Sequence, residues 1–369
     1  MLVDWSKIHD QEKLTPAVLP LAVLSLFYWA GLKLRMCAPI KGKALPGFVV
    51  SLGNLTVGGT GKTPAAAVLA QWAMEQGYKP TILSRGYGGK SKKKVLEVSD
   101  GKTILATSLE AGDEPYLLAK KLKGVPVIIS RARYDAGLLA HEKHGTDFFI
   151  LDDGFQHIPL HRDLDLVLLD ATRPFGNRRL LPWGPLREPV DHLGRADAFI
   201  LTRSGENVMP GLVEFLGKRF PGKPVFRSRH MPQKIVFPRS WRSYGPAFLL
   251  EKKVVVFTGI AKPAQFRDTL KKLGAEVVLF KTFPDHHPFS RAEIEEMILW
   301  AKNVDCLITT EKDWVRVEHL GIHEDKLCYL TVNFELLPER DAFFHLVEEK
   351  VQLSARTGPG RHPHFKNRG

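Results

Sequence analysis

The stretch Phe48-Val49-Val50-Ser51-Leu52-Gly53-Asn54-Leu55-Thr56-Val57-Gly58-Gly59-Thr60-Gly61-Lys62-Thr63-Pro64 decides the fold of this chain. Its first part is apolar and β-branched, which predicts a buried strand. A glycine-rich turn follows, then Lys-Thr, and then an alanine-rich segment that predicts a helix. This order is typical of a phosphate-binding loop, in which backbone N–H groups and a helix N-terminus surround an anion. We therefore expect an α/β fold built around this loop.

The residue types in the loop match what phosphate binding requires. Glycines let the backbone approach an anion closely, because a Cβ would intrude. The lysine would reach the β- and γ-phosphates of ATP, and the threonine hydroxyl would bind Mg²⁺. The residues expected to contact the nucleotide and its metal are Gly58, Gly59, Thr60, Gly61, Lys62 and Thr63.

One position of the loop departs from the generic pattern. A glycine is expected six residues before the lysine, but Thr56 stands there, and the nearest earlier glycine is Gly53. The alternative is an ordinary glycine-rich turn between a strand and a helix. The Gly-Lys-Thr sequence at the start of a predicted helix favours the phosphate-binding interpretation.

Composition limits the class of protein and of partner. A length of 369 residues predicts two domains, each with an ample core. The formal net charge of +13 predicts an anionic partner, such as nucleic acid, acidic lipid or a phosphorylated substrate. No recognised nucleic-acid-binding motif accompanies the charge, so we expect no nucleic acid partner. The three cysteines are too widely spaced for a zinc motif or a disulfide framework, which fits a reducing compartment.

Strand and helix patterns alternate from the loop to about residue 202. This alternation predicts a P-loop NTPase-type, mostly parallel sheet with helices on both faces, followed by a smaller second α/β domain. The predicted segments are a membrane-associating helical segment (1–45), the P-loop domain (46–224), a linker with short antiparallel strands (225–250), the smaller domain with a C-terminal helix (251–353) and a basic flexible tail (354–369).

Residues 14–32 carry no charge. A membrane-spanning helix, a signal peptide, an interfacial helix and a helix packed on its own domain are the alternatives. Pro16 and Pro20 shorten a spanning helix, and Asp4 and Asp10 spoil the basic start of a signal peptide. Aromatic residues near one end, followed by basic residues, are typical of an interfacial helix on an anionic membrane surface, which we favour.

An acidic pair follows one of the predicted strands. Asp152 and Asp153 come directly after the apolar run 147–151. Carboxylates at the end of a buried strand, downstream of a phosphate loop, are expected to form the second Mg²⁺-binding element. A chance acidic turn is the alternative.

Two further motifs carry groups that could move a proton. Asp113 lies in a Gly-Asp-Glu-Pro sequence at the start of a predicted helix. Acidic residues are favoured there by the helix dipole, so this structural role explains Asp113 at least as well as a catalytic role does. His286 and His287 follow an aspartate, a pattern that indicates metal or proton chemistry. A turn before the next helix is the alternative for the histidines.

Together these motifs resemble one known family, the tetraacyldisaccharide 4′-kinases, which are the lipid A 4′-kinases of Gram-negative bacteria. No single motif is specific, but their combination and order are. The stretches that carry the resemblance are Gly53-Asn54 through Pro64, Ser84-Arg85-Gly86-Tyr87-Gly88, Gly112-Asp113-Glu114-Pro115, Leu151-Asp152-Asp153-Gly154-Phe155-Gln156-His157, Gly184-Pro185-Leu186-Arg187-Glu188-Pro189, Asp285-His286 and Thr310-Glu311-Lys312-Asp313.

The resemblance implies a reaction and a location. The γ-phosphate of ATP is expected to pass to the 4′-hydroxyl of an acylated glucosamine disaccharide 1-phosphate, which gives lipid IVA. The N-terminal helix is expected to dock on the cytoplasmic face of the bacterial inner membrane, and we expect a monomer.

The resemblance also implies roles for individual residues. Asp113 and His286 are expected to form the catalytic base, assembled when the second domain closes over the first. Lys62 is expected to act in catalysis through the phosphates. The metal would be held by Thr63, Asp152, Asp153 and Glu188, and substrate contacts are expected from Tyr87 and Arg187.

Two other functions compete with this one. A P-loop kinase with a soluble acceptor would not need the uncharged segment 14–32. A membrane-recruited ATPase switch would keep Lys62, Thr63 and Asp152, but it would not need a base contributed by a second domain.

Overall fold

Strand β1 (Phe48–Asn54) is buried along its whole length and lies inside a long mixed sheet. The computed structural model describes residues 8–9, 15–16, 18–37, 42–205 and 208–357 of the chain. The other strands of the first unit are β2 (Pro80–Ser84), β3 (Val95–Asp100), β4 (Pro126–Ser130), β5 (Phe148–Asp152), β6 (Leu164–Asp170) and β7 (Ala198–Thr202).

The strands of the first unit run in the order β7-β6-β1-β5-β2-β4-β3. Neighbouring strands are parallel except at the edge, where β3 is antiparallel to β4. Because parallel strands end at one edge of a sheet, the loops after β1, β2, β4 and β5 meet there. The mostly parallel sheet predicted from the sequence is confirmed.

Helices cover the sheet of the first unit. The alanine-rich helix α2 begins directly after Gly61, whose φ of 85° is a left-handed conformation that favours glycine. The helices in this part of the chain are α1 (Leu19–Cys37), α2 (Lys62–Glu75), α3 (Ser108–Ala111), α4 (Asp113–Lys121), α5 (Arg133–His144) and α6 (Leu212–Arg219), with a 3₁₀ helix at Val190–Arg195.

A second α/β unit continues the same sheet. Its strands are β8 (Val225–Phe237), β9 (Arg242–Tyr244), β10 (Lys253–Thr258), β11 (Glu276–Thr282), β12 (Cys306–Thr310) and β13 (Leu327–Leu336). Its helices are α7 (Pro263–Lys272), α8 (Arg291–Trp300), α9 (Glu311–Val317) and α10 (Arg340–Thr357), with 3₁₀ helices at Pro246–Leu249 and Glu318–Leu320.

Strand β8 joins the two units. Its first residues pair in parallel with β7, and the rest pairs antiparallel with β13. The sheet therefore runs on in the order β11-β10-β12-β13-β8-β7, with β9 antiparallel to β8. The segment predicted as a linker is thus built largely from one long strand that both units share.

Helix α10 returns to the first unit. Phe344 stacks on Trp72 of α2 with ring centroids 5.0 Å apart, and Phe343, Val347 and Val351 join the same buried cluster. By packing, this helix covers the core of the first unit, although the sequence grouped it with the second. The exact domain boundaries stay a prediction, and residues 358–369 of the predicted tail lie outside the described residues.

Helix α1 leaves most of its apolar side chains exposed. The segment Leu19–Met36 is long and apolar enough to cross a membrane, and only 6% of it is buried. The exposed residues include Leu19, Val23, Leu24, Leu26, Phe27 and Leu34. An exposed apolar face of this kind fits contact with a membrane surface.

Candidate active site

The phosphate-binding loop lies at the end of β1 and is shaped by glycines. Gly58 and Gly61 have φ of 104° and 85°. A Cβ on Gly53 would come within 2.7 Å of the backbone N of Phe155, so this glycine lets β1 and the loop after β5 approach each other. Thr56 bridges Leu186 in the antiparallel sense, an extended conformation that needs no glycine. This pairing explains the departure from the generic pattern.

Lys62 is buried at the start of α2. Its Nζ lies 3.1 Å from Asn54 Oδ1 and 3.4 Å from Asp153 Oδ1. Thr63 follows it in the first helical turn, where its side chain is half-buried. The loop therefore presents an ammonium group, a hydroxyl and a helix N-terminus at one point, which is the chemistry that a polyphosphate requires.

The two carboxylates at the end of β5, Asp152 as its last residue and Asp153 directly after it, have opposite electrostatic environments. Asp152 is 1% exposed, and burial, together with the charge of Glu114, raises its pKa to about 7. Burial also acts on Asp153, but Lys62 and Arg187 outweigh it and lower the pKa of Asp153 to about 2. Arg187 Nη1 donates to both oxygens of Asp153, at 2.9 and 2.8 Å. Asp153 is therefore already neutralised by two cations, whereas Asp152 is not.

Asp152 fits a metal ligand. Within the described residues its Oδ1 is buried without a hydrogen-bond partner, and its Oδ2 accepts only a long bond of 3.5 Å from Ser84. A buried carboxylate of this kind is satisfied by a bound cation. No cluster of three or more potential protein ligands occurs in the described part of the chain. A site for Mg²⁺ does not require one, because Mg²⁺ usually binds one or two carboxylates together with phosphate oxygens and water.

Glu188 is buried and engaged elsewhere. Its Oε2 lies 2.7 Å from His192 Nδ1 and 2.8 Å from Arg195 Nη2. The contacts that the structure gives this carboxylate thus fix the loop after β6 instead of joining it to Asp152. A role for Glu188 as a metal ligand stays a prediction, and the geometry gives it less support than Asp152.

Asp113 and His286 come together from different units. Asp113 is the first residue of α4, and His286 lies in the loop after β11. His286 Nδ1 is 3.0 Å from Asp113 Oδ2, and Arg316 Nε is 3.2 Å from the same oxygen. The ring of Tyr87, which is 75% exposed, lies edge-on to the His286 ring with centroids 6.1 Å apart.

The neighbouring histidine has a structural environment. His287 stacks on Phe283 with ring centroids 4.7 Å apart, and its Nε2 bonds to Glu293 at 3.0 Å. It therefore fixes the loop before α8. The structure thus places His286, and not His287, within hydrogen-bonding distance of Asp113, and the role of this pair in catalysis stays a prediction.

Helices α4 and α9 face each other across the two units. Glu114 pairs with Lys312 at 3.0 Å and Lys121 with Glu311 at 2.6 Å, while Lys120 also pairs with Glu318. These ion pairs place the second unit against the first at the Asp113 end of the site.

Asp313, in the Thr-Glu-Lys-Asp motif, organises the second unit's side of this contact. It is fully buried and accepts hydrogen bonds from Thr258 Oγ1, Thr310 Oγ1 and the backbone N of Gly259. Arg316 Nη2 pairs with it at 2.8 Å. Asp313 thus holds the guanidinium that reaches Asp113, while Lys312 of the same motif lines the cleft.

Several site residues were not selected from the sequence. Arg133 is buried at the start of α5, and burial lowers its pKa to about 10 despite the nearby charge of Asp153. Burial would raise the pKa of Glu114, but Lys312 and Lys62 lower it overall. Arg133 follows β4, which ends at the loop edge of the sheet, and Glu114 is the neighbour of Asp113 in the Gly-Asp-Glu-Pro motif. These positions were the available clues, since neither residue lies in a phosphate-binding pattern.

Helix α1 touches the loops that hold the acidic pair. Ser25 Oγ donates to Leu180 O at 3.0 Å, and Tyr28 Oη donates to Arg187 O at 2.9 Å. Arg35 Nη2 donates to Gln156 O at 3.1 Å. One side of α1 is therefore bonded to the backbone beside the site, and the opposite side is exposed.

Known proteins are similar to this chain over most of its length. A family model described as tetraacyldisaccharide-1-P 4′-kinase matches residues 17–352. A tetraacyldisaccharide 4′-kinase of Syntrophus aciditrophicus is 39% identical over 365 residues, covering 94% of this chain and 97% of that protein. One of Desulfatibacillum aliphaticivorans is 41% identical over 360 residues, covering 92% and 94%.

A solved structure gives the same result. The crystal structure of LpxK from Aquifex aeolicus in complex with ATP superimposes with a TM-score of 0.73 and 35% sequence identity, covering 91% of this chain and 98% of that one. The resemblance seen in the sequence motifs is confirmed by these matches. The chain belongs to the tetraacyldisaccharide 4′-kinase family and is a kinase of lipid A biosynthesis.

Proposed function

We propose that this chain transfers the γ-phosphate of ATP, with Mg²⁺, to the 4′-hydroxyl of an acylated glucosamine disaccharide 1-phosphate, forming lipid IVA. The observation that carries the proposal is the Asp113–His286 contact between the two units, formed next to the phosphate-binding loop. Glu114, the neighbour of Asp113, lies close enough to Lys62 for that lysine to act on its pKa. A base and a phosphate site are thus adjacent.

The loop and the acidic pair divide the work of binding. Lys62 and the loop amides would hold the β- and γ-phosphates of the nucleotide. Asp152 and Thr63 would hold Mg²⁺, and Asp153 would keep Lys62 and Arg187 in place. The metal, when bound, supplies neutralisation of the charge that develops on the transferred phosphoryl group.

The transfer step needs an acceptor that loses a proton. The 4′-hydroxyl oxygen forms a bond to the γ-phosphorus while the bond from that phosphorus to the β–γ bridging oxygen breaks. The electron pair of the broken bond leaves on ADP, and the hydroxyl proton passes to the Asp113 carboxylate. His286 and Arg316 both contact Asp113 at Oδ2, so we assign proton acceptance to Oδ1. General-base assistance of this kind contributes roughly 10²–10⁴-fold.

Closure of the two units completes the site. His286, Lys312 and Arg316 belong to the second unit, whereas Asp113 and Glu114 belong to the first. Bringing them together assembles the base and excludes water from the phosphates. The family match favours this activity over the ATPase-switch alternative, which has no use for a base from a second unit.

The membrane would present the lipid to this site. The exposed apolar side of α1 would lie in an anionic membrane surface, on the cytoplasmic face where ATP is available. The formal net charge of +13 would favour that contact. We propose that the protein works there as a monomer.

The test is transfer of labelled γ-phosphate from ATP to tetraacyldisaccharide 1-phosphate in detergent micelles. The parent protein is expected to label the lipid, and Asp113→Ala and Asp113→Asn are expected to lose about 100-fold or more of kcat. Glu110→Gln is the matched control, because Glu110 is also a helix-start carboxylate and, among the described residues, its side chain bonds to Thr107 of its capping box. No labelled lipid from folded parent protein would refute the reaction, and full activity of Asp113→Asn would refute the base.

A further inference from the structure

The loop between β2 and β3 carries a cluster of lysines. Residues 90–94 have the sequence Lys-Ser-Lys-Lys-Lys, and the four lysines are all exposed. We call this segment the lysine tip. Lys94 pairs with Asp135 at 2.8 Å, whereas the other three lysines form no ion pair with any described residue. The tip is therefore a local excess of positive charge on the surface.

Backbone hydrogen bonds hold the lysine tip in a defined place. The backbone N of Lys90 donates to Leu109 O of α3 at 2.9 Å. Ser130 Oγ, at the end of β4, donates to Lys94 O at 2.8 Å. Leu109 is itself 50% exposed, so an apolar side chain accompanies the lysines on this surface. Exposed apolar and basic side chains together are typical of a membrane-contacting surface.

The acid beside the tip does not neutralise it. The backbone N of Ser91 donates to the backbone oxygen of Glu110 at 3.3 Å, so Glu110 is next to the tip. The Glu110 carboxylate, however, accepts hydrogen bonds from the backbone N and the hydroxyl of Thr107. The ammonium groups of the tip thus remain available to an external anion.

The lysine tip and α1 lie at the same edge of the sheet. The tip follows β2, which pairs with β5. Arg35, near the end of α1, donates to Gln156 O in the loop after β5. The loop that leads to the tip also carries Tyr87, whose ring lies beside that of His286. The tip is therefore on the side of the molecule where both α1 and the proposed site lie.

We propose that the lysine tip is a second membrane-contact site, which binds the anionic lipid headgroups of the surface in which α1 lies. The proposal rests on the proposed function for the membrane location of the protein. Each lysine near an anionic bilayer surface contributes about fivefold to binding. Two separate contacts fix an orientation of the protein that one helix leaves free. This orientation keeps the loop of Tyr87 next to the bilayer that supplies the lipid substrate.

The test is binding of the full-length protein to vesicles, measured by cosedimentation at about 0.1 M NaCl. Vesicles of pure phosphatidylcholine are compared with vesicles that contain about 30% phosphatidylglycerol. The parent is expected to bind the anionic vesicles at least about tenfold more tightly than the neutral ones. The triple variant Lys90→Gln, Lys92→Gln, Lys93→Gln is expected to lose about tenfold or more of the anionic binding and to bind neutral vesicles like the parent.

A matched variant separates the position of the charges from their number. The triple variant Lys253→Gln, Lys271→Gln, Lys302→Gln removes three exposed lysines at the amino ends of the second unit's strands, the end away from the site. It is expected to bind both kinds of vesicle like the parent. At about 0.5 M NaCl, the difference between the parent and the tip variant should disappear, because salt screens exposed charges. Thermal unfolding checks that both variants fold.

Transfer activity separates the bilayer from the phosphate that the substrate itself carries. In neutral detergent micelles the tip variant is expected to keep kcat and KM within about twofold of the parent. A KM for the lipid raised about tenfold in these micelles would show that the lysines bind the substrate's phosphate, and it would overturn the membrane contact.

Vesicle binding gives the other outcomes that overturn the proposal. The lysine tip is not a membrane contact if the parent binds both kinds of vesicle equally, or if the tip variant binds anionic vesicles like the parent. If the parent binds neither kind of vesicle, the membrane location in the proposed function fails together with the tip. The two failures are therefore distinguishable.

Discussion

The hydroxyl of Tyr28 on α1 donates a 2.9 Å hydrogen bond to the main-chain oxygen of Arg187. The side chain of Arg187 in turn holds both oxygens of Asp153. Two successive contacts, from Tyr28 to Arg187 and from Arg187 to Asp153, therefore connect the helix with the exposed apolar face to the acidic pair beside Lys62. The exposed apolar helix and the phosphate site are linked through one loop.

Removing the Tyr28 hydroxyl should weaken the contact between α1 and the loop that carries Arg187, while α1 itself stays in place. A single hydrogen bond of this kind contributes about 0.5–1.5 kcal/mol. We expect Tyr28→Phe to lower kcat/KM for the lipid about two- to tenfold in micelles while it still binds anionic vesicles like the parent. Phe27→Ala, on the exposed side, should weaken vesicle binding instead. Parent-like kinetics in Tyr28→Phe would argue against the link.

Asp152 should destabilise the metal-free protein at neutral and higher pH. Its folded-state pKa of about 7 lies above the usual unfolded value, so the folded state binds the extra proton and stability falls as pH rises from about 4 to about 7. Asp152→Asn removes this cost. With EDTA present, we expect a higher Tm than the parent at pH 8 and a smaller difference at pH 5, and in separate assays with Mg²⁺ we expect the variant to lose transfer activity. Equal Tm values at pH 8 would contradict the buried, unpaired state of Asp152.

Lys62 has two roles that one substitution removes together. We expect Lys62→Met to lower kcat about 10²–10³-fold, since a preorganised charge on the phosphates is lost. It also leaves Asp153 with Arg187 as its remaining cationic partner. Calorimetric titration with a non-hydrolysable ATP analogue should show weaker binding. Lys79→Met, a lysine at the opposite end of the sheet, is the control, and a parent-like rate in Lys62→Met would rule out the phosphate role.

Asp170 holds cations from both units. Arg203 and Lys262 pair with it, and these charges outweigh burial and lower the pKa of Asp170 to about 2. Arg203 Nη2 also donates to Gly59 O at 2.9 Å, so the cluster reaches the phosphate-binding loop. The low pKa means that its contribution to stability is present above about pH 4 and is lost as pH falls towards 2.

Loss of this acid should leave two cations side by side. We expect Asp170→Asn to lower Tm at pH 7, because breaking a partly buried pair leaves an uncompensated charge. Adding Lys262→Met should recover part of the loss, since the repulsion between Arg203 and Lys262 disappears. A double variant as unstable as the sum of the two single changes would show that the three groups are not coupled.

The local elements were accessible from the sequence. Strands β2, β6 and β7 lie within the alternation that the sequence predicts up to about residue 202, because buried parallel strands are continuous apolar runs. Strand β3 was missed because it is an antiparallel edge strand with mixed burial. Strand β8 was missed as one element because it contains Pro232 and its partner β13 lies about 100 residues later.

The sequence by itself determined the phosphate-binding loop and the acidic pair. Each of these motifs consists of residues that are neighbours in the chain at the end of a single strand, β1 for the loop and β5 for the acidic pair. Their spacing in the sequence is therefore enough to predict where they lie. Tertiary structure decided the rest. His286 reaches Asp113 across 173 residues, and Lys312 reaches both His286 and Glu114. Such contacts depend on how two units pack, and no local pattern encodes the distance between side chains on separate elements.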